Sequence, residues 1–449
     1  MINRHFFLSG NVISYLIICL PLALISGPFV PDIFITISSL FLLLQIYYNS
    51  KIFNLQNNIK IFIILFYIYL LLNLFITKSY NYSISASIFF LRFILLVFVI
   101  EYFCINSNKF KIYFFYILFF SLLIVILDGY FQFFFKQNIL GFQQYCVRDC
   151  NENEELRSMR LTGLLNKPII GSYIARLIPL LFGLFFLLKL KKINRFKDLF
   201  IVILSILATG LVFLSGERTS FALILGFFLI VLFITNYSRK FKFFISTGII
   251  FIIFLTTIFS ESTKFRMVTF TFMQVGIKVE KYSFFNDSNY KKFILVRDSM
   301  IKSEDNKLFI FSNHHHSHIS TAFLIFKDNL VFGTGMKSFR YVCKKYGIND
   351  DSCTTHPHNL VLQFLSELGI IGFLFYLVSF IFFGLFLIKK IIQKNINNIQ
   401  NAQICFGAGI FMSLFPLIPS GNFFNNWLSI IFYLTLGFFI YTRIEEKNG

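Results

Sequence analysis

The sequence predicts an all-α polytopic membrane protein with about twelve spanning helices and a large loop between the ninth and tenth. Three observations carry that prediction. Hydrophobic residues fill 57% of 449 positions, with 67 phenylalanines and a mean hydropathy of +0.73, more apolar surface than a soluble domain of this size hides. Apolar runs of roughly 17 to 25 residues recur along the chain, the length that crosses a bilayer core as helix. The short connections between runs alternate between basic and nearly uncharged. The runs are continuous, whereas the strands of an outer-membrane barrel would alternate.

The spans read 10–28, 32–48, 60–77, 86–104, 112–134, 168–190, 198–214, 219–236, 243–260, 358–388, 403–419 and 426–442. Arg4 and His5 precede the first, and no small-residue cleavage motif stands out, so that run reads as a retained helix. Connections after even-numbered spans are basic: Lys51 and Lys60; Lys109 and Lys111; Lys189, Lys191, Lys192, Arg195 and Lys197; Arg239, Lys240 and Lys242; Lys389, Lys390 and Lys394. Those after odd-numbered spans carry almost no basic residues, Lys78 and Arg218 being the exceptions. The alternation puts both termini in the cytoplasm and the long loops on the opposite, non-cytoplasmic face. A net charge of +20 would suggest nucleic acid in a soluble protein; here the charges sit where topology wants them, and no nucleic-acid partner is expected. Residues 1–449 form one membrane domain with a smaller periplasmic loop at 135–167 and a large one at 261–357.

Cys19, Cys104 and Cys405 lie within spans, where a thiol is a small apolar group. Cys146 and Cys150 fall in one outer loop, Cys343 and Cys353 in the other, which suggests two disulfides in an oxidising compartment. Pairing within each loop is the simplest of the possible connectivities. A zinc site is the rival, but the spacings lack paired C-x2-C units.

The densest group of reactive side chains is His356-Pro357-His358-Asn359, followed by Gly369-Ile370-Ile371-Gly372. Pro357 and Asn359 suit a helix start, which puts His358 at the outer mouth of the tenth span. Glu367 lies deeper and needs a partner or water there. Gly369 and Gly372, one turn apart, allow close helix contact. A capped helix with an interfacial histidine is the plain alternative. Ser215-Gly216-Glu217-Arg218-Thr219-Ser220 is a very short turn between apolar spans, and its arginine runs against the charge rule. A guanidinium there suits bidentate phosphate binding; a snorkelling arginine or a local pair with Glu217 competes. Arg160-Leu161-Thr162-Gly163 leads to Gly171-Ser172-Tyr173 and Arg176, a charge at membrane depth. Arg92 and Asp128 are similar in kind, and Arg92 reads best as one of a neutralising pair. The tract His314-His315-His316-Ser317-His318 makes a poor fixed metal site, since adjacent side chains rarely converge; a pH-titrating or anion-facing surface fits it equally. Thr321 to Phe326, followed by Lys327-Asp328-Asn329, reads as a short amphipathic helix and a turn.

Together these pieces resemble the O-antigen ligase and O-antigen polymerase superfamily. Its hallmark is His followed by Asn, Ser or Gln, nine residues, then Gly-x-x-Gly, and His358-Asn359-x9-Gly369-x-x-Gly372 has that spacing. Ser215-Gly216-Glu217-Arg218 resembles the family's arginine between two central helices. Phe332-Gly333-Thr334-Gly335 resembles its Gly-x-Gly, and Arg160 to Ser172 looks like a further family segment. The resemblance implies a metal-independent, cofactor-free membrane glycosyltransferase. It would move a glycan from an undecaprenyl-diphosphate carrier to a sugar hydroxyl. The acceptor is lipid A-core sugar in a ligase, or another lipid-linked glycan in a polymerase; the ligase reading is preferred. The partners so implied are donor, acceptor and membrane lipids. Arg218 would stabilise the departing diphosphate, with Arg160 or Arg176 in support, and His358 would act as the base, with His356 as fallback. Many members carry another arginine about eighteen residues before Gly-x-Gly; here the count lands on His315, with Arg297 and Arg340 nearby. Phe373 follows Gly372 where a small residue or Tyr is common. A lipid-linked sugar transporter is the reading from another class, but it predicts repeat symmetry and a mid-membrane polar path. A structural scaffold would leave Arg218 and His358 without a reason.

Overall fold

The structure is a computed structural model that describes all residues except 1, 51–54, 56, 78–79, 147–158, 189–194, 270, 272–312, 348–351, 394 and 449. The long helices are α1 (Ile2–Ile18), α2 (Phe29–Tyr48), α3 (Asn58–Ile76), α4 (Leu91–Asn106), α5 (Asn108–Phe135), α6 (Ile170–Leu187), α7 (Arg195–Leu214), α8 (Arg218–Ile234) and α9 (Arg239–Phe259). Two loop helices follow, α10 (Asn313–Asp328) and α11 (Phe339–Tyr346), then α12 (Leu360–Ile392), α13 (Asn398–Ser413) and α14 (Asn426–Asn448). Each of the twelve spans read from the sequence overlaps one of these helices, but α1 ends at Ile18, well inside the first span, and α13 ends at Ser413, inside the eleventh. Among the described residues, eight helical segments are long and apolar enough to cross a membrane, and the chain is an all-α polytopic membrane protein. A two-residue antiparallel pairing, β1 (Tyr145–Cys146) with β2 (Met159–Arg160), is the one exception to helix in the named elements.

Helix is what these runs must adopt, since lipid offers no partner for a bare peptide group. Where helices begin in water, side chains take up the first free N–H groups. Asn57 Oδ1 accepts from Ile59 N at 2.9 Å, Ser107 Oγ from Phe110 N at 3.2 Å and Ser238 Oγ from Phe241 N at 3.3 Å. Asn397 and Gln400 form a reciprocal capping box at the start of α13. These four caps open α3, α5, α9 and α13, four of the five helices that follow the basic connections.

Helix α6 is the centre of the bundle. Its apolar stretch is 83% buried, against 22% for α9, which therefore lies at the lipid-facing rim. It packs on α13, α8, α7 and α5, while α14 closes against α4 and α13. Charges within the helices are paired or capped. Arg92 donates to Asp32 at 2.9 and 3.0 Å, and Asn426 Nδ2 joins Asp32 at 3.1 Å. Asp128 instead accepts from Ile139 N at 2.9 Å, so Arg92 and Asp128 do not neutralise each other. Lys60 meets Glu101 at 2.6 Å in a buried pair at the other end of the bundle.

The described part of the large loop is ordered by its own small core. Ala322, Ile325, Phe339 and Cys343 pack between α10, α11 and the start of α12. The Thr321–Phe326 segment is the C-terminal half of a longer helix, α10. Cys343 is bonded to Cys353. Cys150, Arg297 and the Cys146 side chain lie outside the described residues.

Candidate active site

Three features lie at the end of the bundle where α6, α8 and α12 begin: a row of histidines, a backbone interlock and a cluster of arginines. The histidines are placed by the capped start of α12. Asn359 Oδ1 accepts from Leu362 N at 3.1 Å and its Nδ2 donates to Pro416 O at 3.0 Å, which ties the cap to the 414–425 segment. His358 precedes the cap with φ +57°, a left-handed backbone unusual for a residue with a Cβ. Its carbonyl accepts from Ser420 N at 3.0 Å. The His356 ring lies 4.1 Å from the His358 ring, and His318 of α10 lies 5.4 Å away. His356 Nε2 sits 3.1 Å from Ser420 O, and a carbonyl only accepts, so that nitrogen carries the proton. Its Nδ1 then takes the Thr355 hydroxyl proton at 2.9 Å. Both ring nitrogens of buried His356 are thus spent on structure, while His358 is half-buried.

Below this row, α12 is broken. Gly369 has φ +65° and ψ −166°, which no other residue type adopts cheaply, and the segment 330–335 docks into the break. Ile370 N donates to Leu330 O at 2.9 Å, Thr334 N to Ser366 O at 3.1 Å and Gly335 N to Glu367 O at 2.7 Å. The expected close helix contact at Gly369 is therefore a contact between loop backbone and helix backbone. Tyr69 donates to Leu368 O, and Asn73 Nδ2 to Phe332 O at 2.6 Å, so α3 clamps both sides of the joint. Glu367 is fully buried and accepts from Phe339 N at 3.3 Å and Gln363 Nε2 at 3.1 Å. Gln363 in turn holds Asn422 at 2.8 Å and accepts from Phe423 N at 3.1 Å. Lys337, across from Glu367, is pushed down to about 8 by burial, against the upward pull of that carboxylate.

The arginines gather round the turn between α7 and α8. Gly216 has φ +70°, and a Cβ there would sit 2.5 Å from Arg266 Cδ, so only glycine admits Arg266. Arg266 Nε donates to Gly216 O at 3.1 Å. Glu217 turns inward: its carboxylate accepts from Gly171 N at 2.7 Å, Ser172 N at 3.0 Å and Ser220 Oγ at 2.8 Å. It thereby caps the N-terminus of α6, where a negative charge is favoured. Burial pushes its carboxyl up, against those hydrogen bonds and the charge of Arg160. Arg160, carried in by β2, is lowered by burial while Glu217 pulls it back up. Its buried Nε has no hydrogen-bond partner among the described residues. Arg266 is lowered to about 10, first by burial and then by the charges of Arg160 and Arg218. Arg176 donates to Ser172 Oγ and Ser413 Oγ, each at 3.3 Å. Arg160 and Arg266 both feel the inward-facing Glu217 carboxylate, Arg218 adds a third guanidinium whose charge acts on Arg266, and such a cluster suits a multivalent anion.

Residues 201–377 match the O-antigen ligase family. The matched span runs from within α7 to within α12, so it holds Arg218, Arg266, the 330–335 segment, His358 and both glycines of the Gly369–Gly372 pair. Arg160 and Arg176 lie outside it. The match supports the O-antigen ligase and polymerase superfamily and an enzyme of that general type in a bacterial membrane. No curated protein matches the chain.

Arg160, Arg176 and Arg218 come together in the structure; His356 and His358 stand side by side. Arg340 is exposed on α11, where its charge acts on Lys337. His315 lies on α10, with its side chain outside the described residues. Sequence reasoning missed two residues. Arg266 was legible only as part of the basic start of the large loop, and His318 only as one member of a histidine tract.

Proposed function

We propose that the protein is an O-antigen ligase-like glycosyltransferase working at the periplasmic face of the inner membrane. It would transfer a glycan from undecaprenyl diphosphate to a sugar hydroxyl of lipid A-core. The observation that carries this reading is the crowd of arginines at the Gly216 turn, at the same end of the bundle as His358 and partly inside the family-matched span.

The chemistry asks for two things. The acceptor oxygen forms a bond to the anomeric carbon as the bond from that carbon to the phosphate oxygen breaks. The electron pair leaves with the lipid diphosphate, whose growing charge the half-buried Arg218, Arg266 and Arg160 stabilise. The hydroxyl proton passes to His358, the half-buried imidazole, as general base. His356 holds the 414–425 segment and the wall of the site. Arg176 braces the same wall through Ser413. An apolar cleft between α3, α12 and α14, lined by Phe62, Phe66, Phe364, Phe375 and Phe423, offers the isoprenoid chain an aromatic surface.

The test is reconstitution in proteoliposomes with lipid-linked glycan and two acceptors offered separately. Glycan on lipid A-core supports the ligase; lengthened lipid-linked chains would make it a polymerase, and neither product would overturn the transferase reading. His358→Ala is expected to abolish transfer while donor still binds, and full activity in that variant would remove the base assignment.

A further inference from the structure

We propose that Gln132 is a positioning residue of the arginine cluster: it holds both legs of the β1–β2 ribbon and so sets where Arg160 stands. This rests on the reading of Arg160 as a ligand of the diphosphate.

Gln132 lies one turn from the end of α5 and is fully buried, where an apolar side chain would cost less to bring in than a carboxamide. Both polar atoms of its side chain are used. Oε1 accepts from Thr162 N and from Gly163 N, each at 2.8 Å. Nε2 donates to Thr162 Oγ1 at 2.9 Å and to Phe142 O at 3.2 Å. The two backbone N–H groups only donate and the Phe142 carbonyl only accepts, so one orientation of the amide satisfies them all.

These partners lie on the two chain segments that run into the ribbon. Residues 142–144 lead into β1, and 162–163 lead out of β2, whose Arg160 stands opposite Tyr145. Gln144 Nε2 also donates to Gln132 O at 3.2 Å. Asn138, likewise buried, makes a second bridge: its Oδ1 accepts from Phe142 N at 2.8 Å and its Nδ2 donates to Gly163 O at 3.0 Å. Gln132 reaches further, to the N–H of Thr162, with only Leu161 between that residue and Arg160. At its other end the same stretch is held by Glu217, which accepts from Gly171 N and whose charge acts on Arg160. The chain from Arg160 to Gly171 is thus tied down by Gln132 at one end and by the acid of the site at the other. The buried Nε of Arg160 has no hydrogen-bond partner among the described residues, which leaves it open to an anion. A shift of the backbone at Thr162 would reach that guanidinium through one intervening residue, and small displacements of a binding group are costly.

The experiment measures binding of a fluorescent lipid diphosphate to full-length protein in nanodiscs, as a double-mutant cycle between positions 132 and 160. Arg160→Ala is expected to weaken binding roughly tenfold. Gln132→Met keeps the length of the side chain and drops its polar atoms; Gln132→Asn is milder, one methylene short of its partners. Both are expected to weaken binding much as Arg160→Ala does. Added to Arg160→Ala, neither should cost more than about twofold further, since the group it positions is already gone. In turnover the donor KM is expected to rise in both Gln132 variants while the acceptor KM holds. Losses that multiply in the double variants would mean that Gln132 supports the fold in general, and would overturn the proposal. Wild-type affinity in a Gln132 variant would do the same, and Gln132→Asn decides the case if Gln132→Met fails to insert. Wild-type affinity in Arg160→Ala is a separate result: it removes Arg160 from the diphosphate site and takes the proposal with it.

Discussion

A Cβ built on Gly333 would lie 2.5 Å from the backbone nitrogen of Gly369, and one built on Gly369 would lie 2.6 Å from the nitrogen of Gly333. The two glycines of the loop and helix motifs are therefore one joint, in which each leaves room for the other's backbone. Both also have left-handed φ values, +67° and +65°. Gly333→Ala and Gly369→Ala are each expected to lower the melting temperature and to remove transfer, because the joint holds the helix turn that carries His358. Gly141→Ala is the control. Gly141 has φ +85° but nothing within 4 Å, so it should cost only the backbone strain, about 1 kcal/mol. Equal losses in all three would show that strain, and not the interlock, is what matters.

The helices were legible because a bilayer core dictates their length and the basic loops mark their ends. The Asn and Ser caps at α3, α5, α9 and α13 are likewise local signals. The break at Gly369 was not, because its cause is the 330–335 segment, which is remote in sequence and meets the helix only in the fold. Gly-x-x-Gly in an apolar run reads naturally as a helix-packing pair, and only the through-space partner reveals a socket for backbone.

Glu217 carries the charge that Arg160 and Arg266 both feel, and it does so while capping α6. Glu217→Gln keeps the shape but removes the charge and one acceptor from the Gly171 and Ser172 N–H groups. The expected result is a loss of about 2 to 4 kcal/mol, seen as a lower melting temperature. Inorganic pyrophosphate should restore more of that stability in the variant than it adds to the wild type, because the guanidiniums have lost the charge of Glu217. No difference in the pyrophosphate response would count against a shared anion site.

Arg266 and Arg340 divide the question of which loop arginine serves the diphosphate. Counting along the chain lands on His315, with Arg297 and Arg340 nearby, but position 266 reaches the Gly216 turn through space, and a count along the chain could not detect that. Arg266→Ala is expected to weaken donor binding roughly tenfold to a hundredfold, the scale of a lost charge-assisted hydrogen bond. Arg340→Ala, on the exposed face of α11, should leave donor affinity near that of the wild type. Binding of a fluorescent lipid diphosphate to both purified variants would separate them, and the reverse order would move the anion site to the α11 side.

Lys337 ties the joint to a pH dependence. Its ammonium is pushed from 10.5 down to about 8 in the folded protein, chiefly by burial. A depressed lysine binds fewer protons folded than unfolded between those values, so stability rises with pH across that window. It is fully gained above about 10.5 and lost as pH falls through about 8. Melting temperature in nanodiscs is therefore expected to climb between pH 8 and pH 10 in the wild type. Lys337→Met removes the titration and should flatten that climb, since no proton remains to be released there. A slope that survives in Lys337→Met would assign the dependence to another group and leave Glu367 without its opposing charge as the cause.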